Sequence, residues 1–135
     1  MTVGEPDTGV VPAGAVGPAD PGYLEVEVTT SAAGPVVCRI AGDLDLGSVA
    51  RARAGLEQAV ASGEPLVIVD LAGVGFCDSA GLNLLLQVRL EAEKAGVQLG
   101  LASLSSPVSR VFELTGAIEL FRMYPTVADA EADQH

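Results

Sequence analysis

Leu24, Val26 and Val28 alternate with Glu25 and Glu27, the period of a strand with one face buried and the other in water. After a Gly34-Pro35 turn, Val36 to Ala41 predicts a second strand. From Leu46 to Ser62 the spacing changes to three and four, with Val49, Arg53, Leu56 and Val60 on one stripe and Gly63 as the stop, which predicts an amphipathic helix. Leu66 to Leu71 is a near-continuous apolar run, as a central strand covered on both faces requires. A helix over 80–94 follows, capped by Gly96, and Val97 to Ala102 predicts a fourth strand. Ser105 or Ser106 opens another helix with Pro107 in its first turn, where a missing N–H costs nothing, and Gly116 closes it. A short strand near Glu119 to Arg122 and a last helix from about Thr126 to Ala132 complete the pattern.

Strands separated by such helices imply right-handed crossovers and a mostly parallel α/β sheet of four to five strands, with helices 80–94 and 106–115 laid against it. A chain of 135 residues, 49% of them hydrophobic, is long enough for one core and too short for two. Residues 1–22 hold four prolines and five glycines with no apolar period, so they read as a disordered tail before a globular domain over 23–132.

Charge narrows the function. The formal net charge is −11, and the seven basic residues are scattered from Arg39 to Arg122, so no basic patch for nucleic acid is expected. The first 22 residues lack Lys, Arg and a sustained apolar run, and no segment reaches the length of a membrane span; the expectation is a cytoplasmic protein without a signal peptide. Cys38 and Cys77 are then expected as free, buried thiols. The single histidine is His135, and no Ser/His/Asp set, metal-ligand cluster or Gly-rich phosphate loop can be assembled, so no catalysis and no cofactor are expected.

The informative stretch is Asp78-Ser79-Ala80-Gly81, placed between the strand 66–71 and the helix 80–94. Asp78 or Ser79 should cap that helix, whose N-terminus carries about half a positive charge and free N–H groups able to accommodate a phosphate. Ser79 is thus either a cap or a switch. On the helix, Gly81, Leu84, Leu85, Val88 and Ala92 already form a complete buried stripe, leaving Leu82 and Leu86 on a face shared with Ser79 and Asn83. That face is a docking surface or is broadly buried under a neighbouring loop. Asp43 and Asp45 follow Gly42 as a turn, with Asp45 a candidate N-cap for helix 46–62. Asp45, Asp70 and Asp78 at one sheet end would also suit Mg²⁺ and an aspartyl-phosphate receiver, but that chemistry needs a late lysine and the only one, Lys94, lies at the far end of its helix.

Gly42-Asp-Leu-Asp45, Val67-Ile-Val-Asp-Leu71, Phe76-Cys-Asp-Ser-Ala-Gly-Leu82 and Ser106-Pro-Val-Ser-Arg-Val-Phe-Glu-Leu-Thr-Gly116 resemble, in order and spacing, the STAS domain of bacterial anti-sigma factor antagonists. The resemblance covers roughly residues 24–131. It implies a regulator that binds an ATP-using anti-sigma factor serine kinase and frees a sigma factor, is phosphorylated by that kinase at Ser79, and is reset by a metal-dependent serine phosphatase. It further implies a partner contact at Asp78 and places the turn with Asp45 near Ser79; with the helix face read above, the candidate partner-binding residues are Asp45, Asp78, Leu82, Asn83 and Leu86, where Asn83 departs from the family's usual glycine or alanine. Two other roles stay open beside it: a phosphorylation-independent STAS scaffold in a signalling or transport assembly, and a small-ligand module, for instance for a nucleotide.

Overall fold

The Leu24/Val26/Val28 alternation becomes an edge strand, β1 (Leu24–Thr29), with Leu24 buried and Glu25 and Glu27 exposed. In the computed structural model, which describes residues 24–30 and 34–133, it pairs antiparallel with β2 (Val36–Leu44). The remaining elements follow as α1 (Val49–Val60), β3 (Leu66–Cys77), α2 (Ser79–Lys94), β4 (Gln98–Ala102), α3 (Ser106–Thr115), a 3₁₀ turn at Ala117–Leu120, β5 (Arg122–Tyr124) and α4 (Val127–Ala132). The strands lie in the order β1-β2-β3-β4-β5, and every pairing after the first is parallel. This is the mixed, mostly parallel α/β sheet the pattern predicts. Residues 1–22, expected as a tail, and Tyr23 lie outside the described residues.

The run Leu66–Leu71 is apolar because both sheet faces are covered. Val67, Val69 and Leu71 enter the main core with Leu56 of α1, Leu85 and Val88 of α2 and Phe112 of α3. Leu66 and Ile68 point the other way, into a smaller cluster with Val37, Ala102 and Ala130 of α4. Phe121, beyond the 3₁₀ turn, meets Phe112 edge to face at 5.7 Å between ring centroids.

Several boundaries differ from the sequence pattern. β3 runs on past Leu71 to Cys77 because β2 also continues to Leu44 and supplies pairing partners, Gly42 opposite Val74 and Leu44 opposite Cys77, across two register shifts. Ala72, Gly73 and Gly75 have low strand propensity, so pairing and not local preference holds this extension. Gly73 is needed there, since a Cβ would fall 2.7 Å from that of Ala41. The first helix starts at Val49, not Leu46, and its buried stripe is Ala52, Gly55, Leu56 and Ala59. Arg53, expected on that stripe, instead reaches across to α2, pairing with Glu91 at 3.4 Å as well as Glu57 at 3.1 Å. The last strand falls at 122–124 rather than 119–122, because Gly116, at φ +78°, ends α3 and the 3₁₀ turn takes up the intervening residues.

Candidate functional site

β2 and β3 end side by side at Leu44 and Cys77, and the Asp78 N–H donates to the Leu44 carbonyl at 3.2 Å. The chain then turns directly into α2. Asp78 is the N-cap: its Oδ1 accepts from the Gly81 N–H at 3.0 Å, satisfying one of the free donors of the first turn. Its Oδ2 accepts from the Leu46 N–H at 3.2 Å, which ties the β2–α1 loop to the same helix end. With the cap supplied by Asp78, Ser79 becomes the first helical residue, exposed, and its hydroxyl has no hydrogen-bond partner among the described residues.

Gly81 is required by close approach. A Cβ there would lie 2.4 Å from the Leu44 carbonyl oxygen and 3.0 Å from Cys77 Sγ. The first turn of α2 is therefore pressed onto the strand ends, and the helix is buried over a wide arc. This overturns the docking reading of Leu82, which is 8% exposed and belongs to the main core. Leu86 is half-buried and packs against the same core. Burial thus describes Leu82, while Leu86 lies at the half-buried edge of that face. Asn83 does reach the surface, where it lines a shallow groove of ≈ 420 Å³ between α1 and α2 with Ala50, Arg53, Ala80 and Gln87.

The Gly42-Asp-Leu-Asp45 segment is held by a residue that the sequence reading passed over. Ser48, buried, donates through Oγ to the Asp43 carbonyl at 2.7 Å and accepts from the Asp45 N–H at 3.0 Å. Ser48 occupies the N-cap position of α1, so Asp45 is not that cap; its carboxylate closes the turn by accepting from the Gly47 N–H at 3.0 Å. Through Leu46 and Asp78 the turn still lies against the N-terminus of α2. Asp70 does not join Asp45 and Asp78. It is buried on the opposite sheet face, where it accepts from Arg39 Nε and from the Ala72 N–H, both at 3.0 Å. Among the described residues no three His, Cys, Asp or Glu side chains are grouped to share a metal ion.

Two large apolar side chains are exposed beside this end of the sheet: Leu46 at 76% and Phe76 at 50%. Neither was expected as an exposed contact from the sequence, although Leu46 carried a signal: a leucine between Asp45 and Gly47 sits in a turn, and turns run over the surface. Cys77 precedes the cap, and burial, reinforced by the Asp78 charge, pushes its thiol up to about 11. Burial pushes Cys38 up to about 12. Both thiols are free and protonated at neutral pH, so neither offers a thiolate beside Ser79.

The family model described as the STAS domain matches residues 23–130. Among curated proteins, the anti-sigma-F factor antagonist RsfB of Mycobacterium tuberculosis is 31% identical over 99 residues, covering 72% of this chain and 79% of that protein. Among solved structures, an anti-sigma factor antagonist from Mycobacterium paratuberculosis superposes with a TM-score of 0.74 at 26% identity, over 82% of this chain and 93% of that one. The anti-sigma factor antagonist SpoIIAA in its unphosphorylated form gives 0.65 at 26% identity, over 78% and 92%. The Bacillus cell fate determinant SpoIIAA in its phosphorylated form gives 0.60, also at 26%, over 78% and 96%. No helix among the described residues is long and apolar enough to cross a membrane.

Proposed function

The chain belongs to the STAS domain family, and on that premise we propose that it is an anti-sigma factor antagonist switched by phosphorylation of Ser79. Unmodified, it binds an anti-sigma factor that is also a serine kinase and so frees a sigma factor; phosphorylated, it lets go. A metal-dependent serine phosphatase returns it to the binding form. The observation that carries this reading is the division of labour between neighbours: Asp78 caps α2, which leaves the exposed Ser79 hydroxyl available to a partner's active site.

The electrostatics are consistent with a switch that acts on docking and spares the fold. A phosphate adds roughly −1.5 to −2 charge at neutral pH, and the N-terminal N–H groups and dipole of α2 offset part of its cost to the domain. A partner facing the same spot meets that charge together with Asp43, Asp45 and Asp78. The proposed contact surface is Ser79 with Asp45, Asp78 and Asn83, flanked by the exposed Leu46 and Phe76. The ATP and the phosphoryl-transfer chemistry belong to the kinase.

The test is to incubate the protein with the anti-sigma factor kinase of the same organism and ATP and to map the product by tandem mass spectrometry. One phosphate on Ser79, and none on a Ser79→Ala variant, is expected; modification at Ser105, Ser106 or Ser109 instead would refute the assignment.

A further inference from the structure

We infer that Ser48 is a positioning residue for recognition of the anti-sigma factor: it presets the turn that carries Asp45 and Leu46, so the partner meets that turn already fixed beside Ser79. This rests on the reading of the chain as an anti-sigma factor antagonist. Ser48 and Asp70 are the buried polar residues among the described residues, and Ser48 is 2% exposed. A serine at an N-cap ordinarily accepts a hydrogen bond from the first turn of its own helix. Ser48 occupies the N-cap position of α1 yet makes no such bond. Its hydroxyl faces back along the chain, donating to the Asp43 carbonyl at 2.7 Å and accepting from the Asp45 N–H at 3.0 Å. The side chain therefore serves the turn before α1 and leaves its own helix uncapped.

That turn is held from its other side as well. Asp78 Oδ2 accepts the Leu46 N–H at 3.2 Å, and the Ser48 N–H donates to the Asp45 carbonyl at 3.0 Å. At its root, Gly42 sits at φ +120° and the β2–β3 register shifts between Gly42 and Asp43, the kind of irregularity that re-aims a strand end. The backbone around Leu46 is thus fixed while its side chain is 76% exposed. A contact presented on a fixed backbone spares the partner the entropy of ordering a loop, so affinity depends on the group that fixes it. Removing the Ser48 hydroxyl strips a partner from both the Asp43 carbonyl and the Asp45 N–H in a place closed to water. Buried backbone groups left unpaired are costly, so the turn opens to hydrate them and no longer holds Leu46 in one place.

The test uses the full chain and the purified anti-sigma factor kinase of the same organism, with affinities read by calorimetry and folding by circular dichroism and thermal melts. Ser48→Ala should weaken binding about fivefold or more, and Ser48→Thr, which keeps the hydroxyl and suits an N-cap, should bind like wild type. In phosphorylation of Ser79, Ser48→Ala should raise KM for this protein and leave kcat unchanged, since Asp78 and Ser79 are untouched. Because Ser48 acts through the turn, most of its effect on affinity should vanish when Ser48→Ala is made in a Leu46→Ala background. Thr126→Ala, which removes the bond from the Asp129 N–H that caps α4, controls for a general loss of stability: it should melt lower and bind like wild type. If the wild type is bound and phosphorylated but Ser48→Ala binds equally well, or loses as much in the Leu46→Ala background as alone, the inference is overturned and the proposed function stands. Weakening by Thr126→Ala to the same degree would reduce Ser48 to a stability residue and overturn it too, and a wild type that does not bind the kinase removes the reading on which it rests.

Discussion

Asp78 Oδ2 accepts the backbone N–H of Leu46 at 3.2 Å, so one carboxylate both caps α2 and anchors the loop leaving β2. Two segments separated by a strand and a helix are thereby fixed around Ser79 without using the Ser79 side chain. The local geometry around Ser79 is built by its neighbour.

Replacing Asp78 with Ala should therefore cost more than an ordinary cap. Loss of an N-cap costs about 1 kcal/mol, with values up to about 2 in proteins, and the second acceptor should place this site at the upper end. Denaturant unfolding should show that loss, while Asp78→Asn, which keeps an acceptor for Gly81, should recover most of it. Wild-type stability in Asp78→Ala would contradict the double role.

Gly81→Ala reverses the usual helix rule. In an exposed helix interior the change would stabilise by roughly 0.5–1 kcal/mol. Here the added methyl meets the Leu44 carbonyl oxygen at 2.4 Å, a backbone atom that cannot swing aside. Overpacking of this kind costs about 1–3 kcal/mol, so urea unfolding should show a net destabilisation. A more stable variant would mean that α2 is not pressed onto the end of β2.

Leu82→Ala should lose about 2–5 kcal/mol, as a buried leucine does, and Leu46→Ala well under 1, because Leu46 is 76% exposed. Partner binding should follow the opposite order, with Leu46→Ala weakening it in a domain of unchanged stability. Equal stability losses in the two variants would place Leu46 in the core.

The buried thiols make an alkaline signature. In the unfolded chain both titrate near the ordinary value of 9.0, while in the fold they are held to about 11 for Cys77 and about 12 for Cys38. The folded state keeps protons that the unfolded state releases. Their contribution is therefore complete below pH 9.0 and is lost as pH rises through about 11 to about 12. Urea unfolding on both sides of pH 9.0 should show this decline in the wild type and a flatter profile in a Cys38→Ala/Cys77→Ala double variant. Identical profiles would show that the thiols titrate normally in the fold.

What could be read from the sequence follows what each signal depends on. The alternation in β1, the apolar run in β3 and the Pro107 and Gly116 ends of α3 are local, and they became the elements they predicted. The extension of β3 through Gly73 and Gly75 was hidden because its hydrogen bonds come from β2, whose own extension the sequence did not mark. A single-stripe pattern could not show that Leu82 is enclosed, since that burial comes from the strand ends pressed against Gly81. The Asp78-Ser79 helix start was legible, but not which of the two caps it, nor that the capping carboxylate of Asp78 also holds the Leu46 N–H, far away in the chain.

In the proposed switch, phosphate on Ser79 controls partner binding while leaving the fold intact. Calorimetric titration of the purified anti-sigma factor kinase into unmodified and Ser79-phosphorylated protein, with circular dichroism of both forms, tests it most directly. The expected result is at least a tenfold loss of affinity on phosphorylation, about 1.4 kcal/mol, with matching spectra and a Ser79→Ala variant that stays bound in the presence of ATP. Equal affinities for the two forms, or release of Ser79→Ala by ATP, would contradict it.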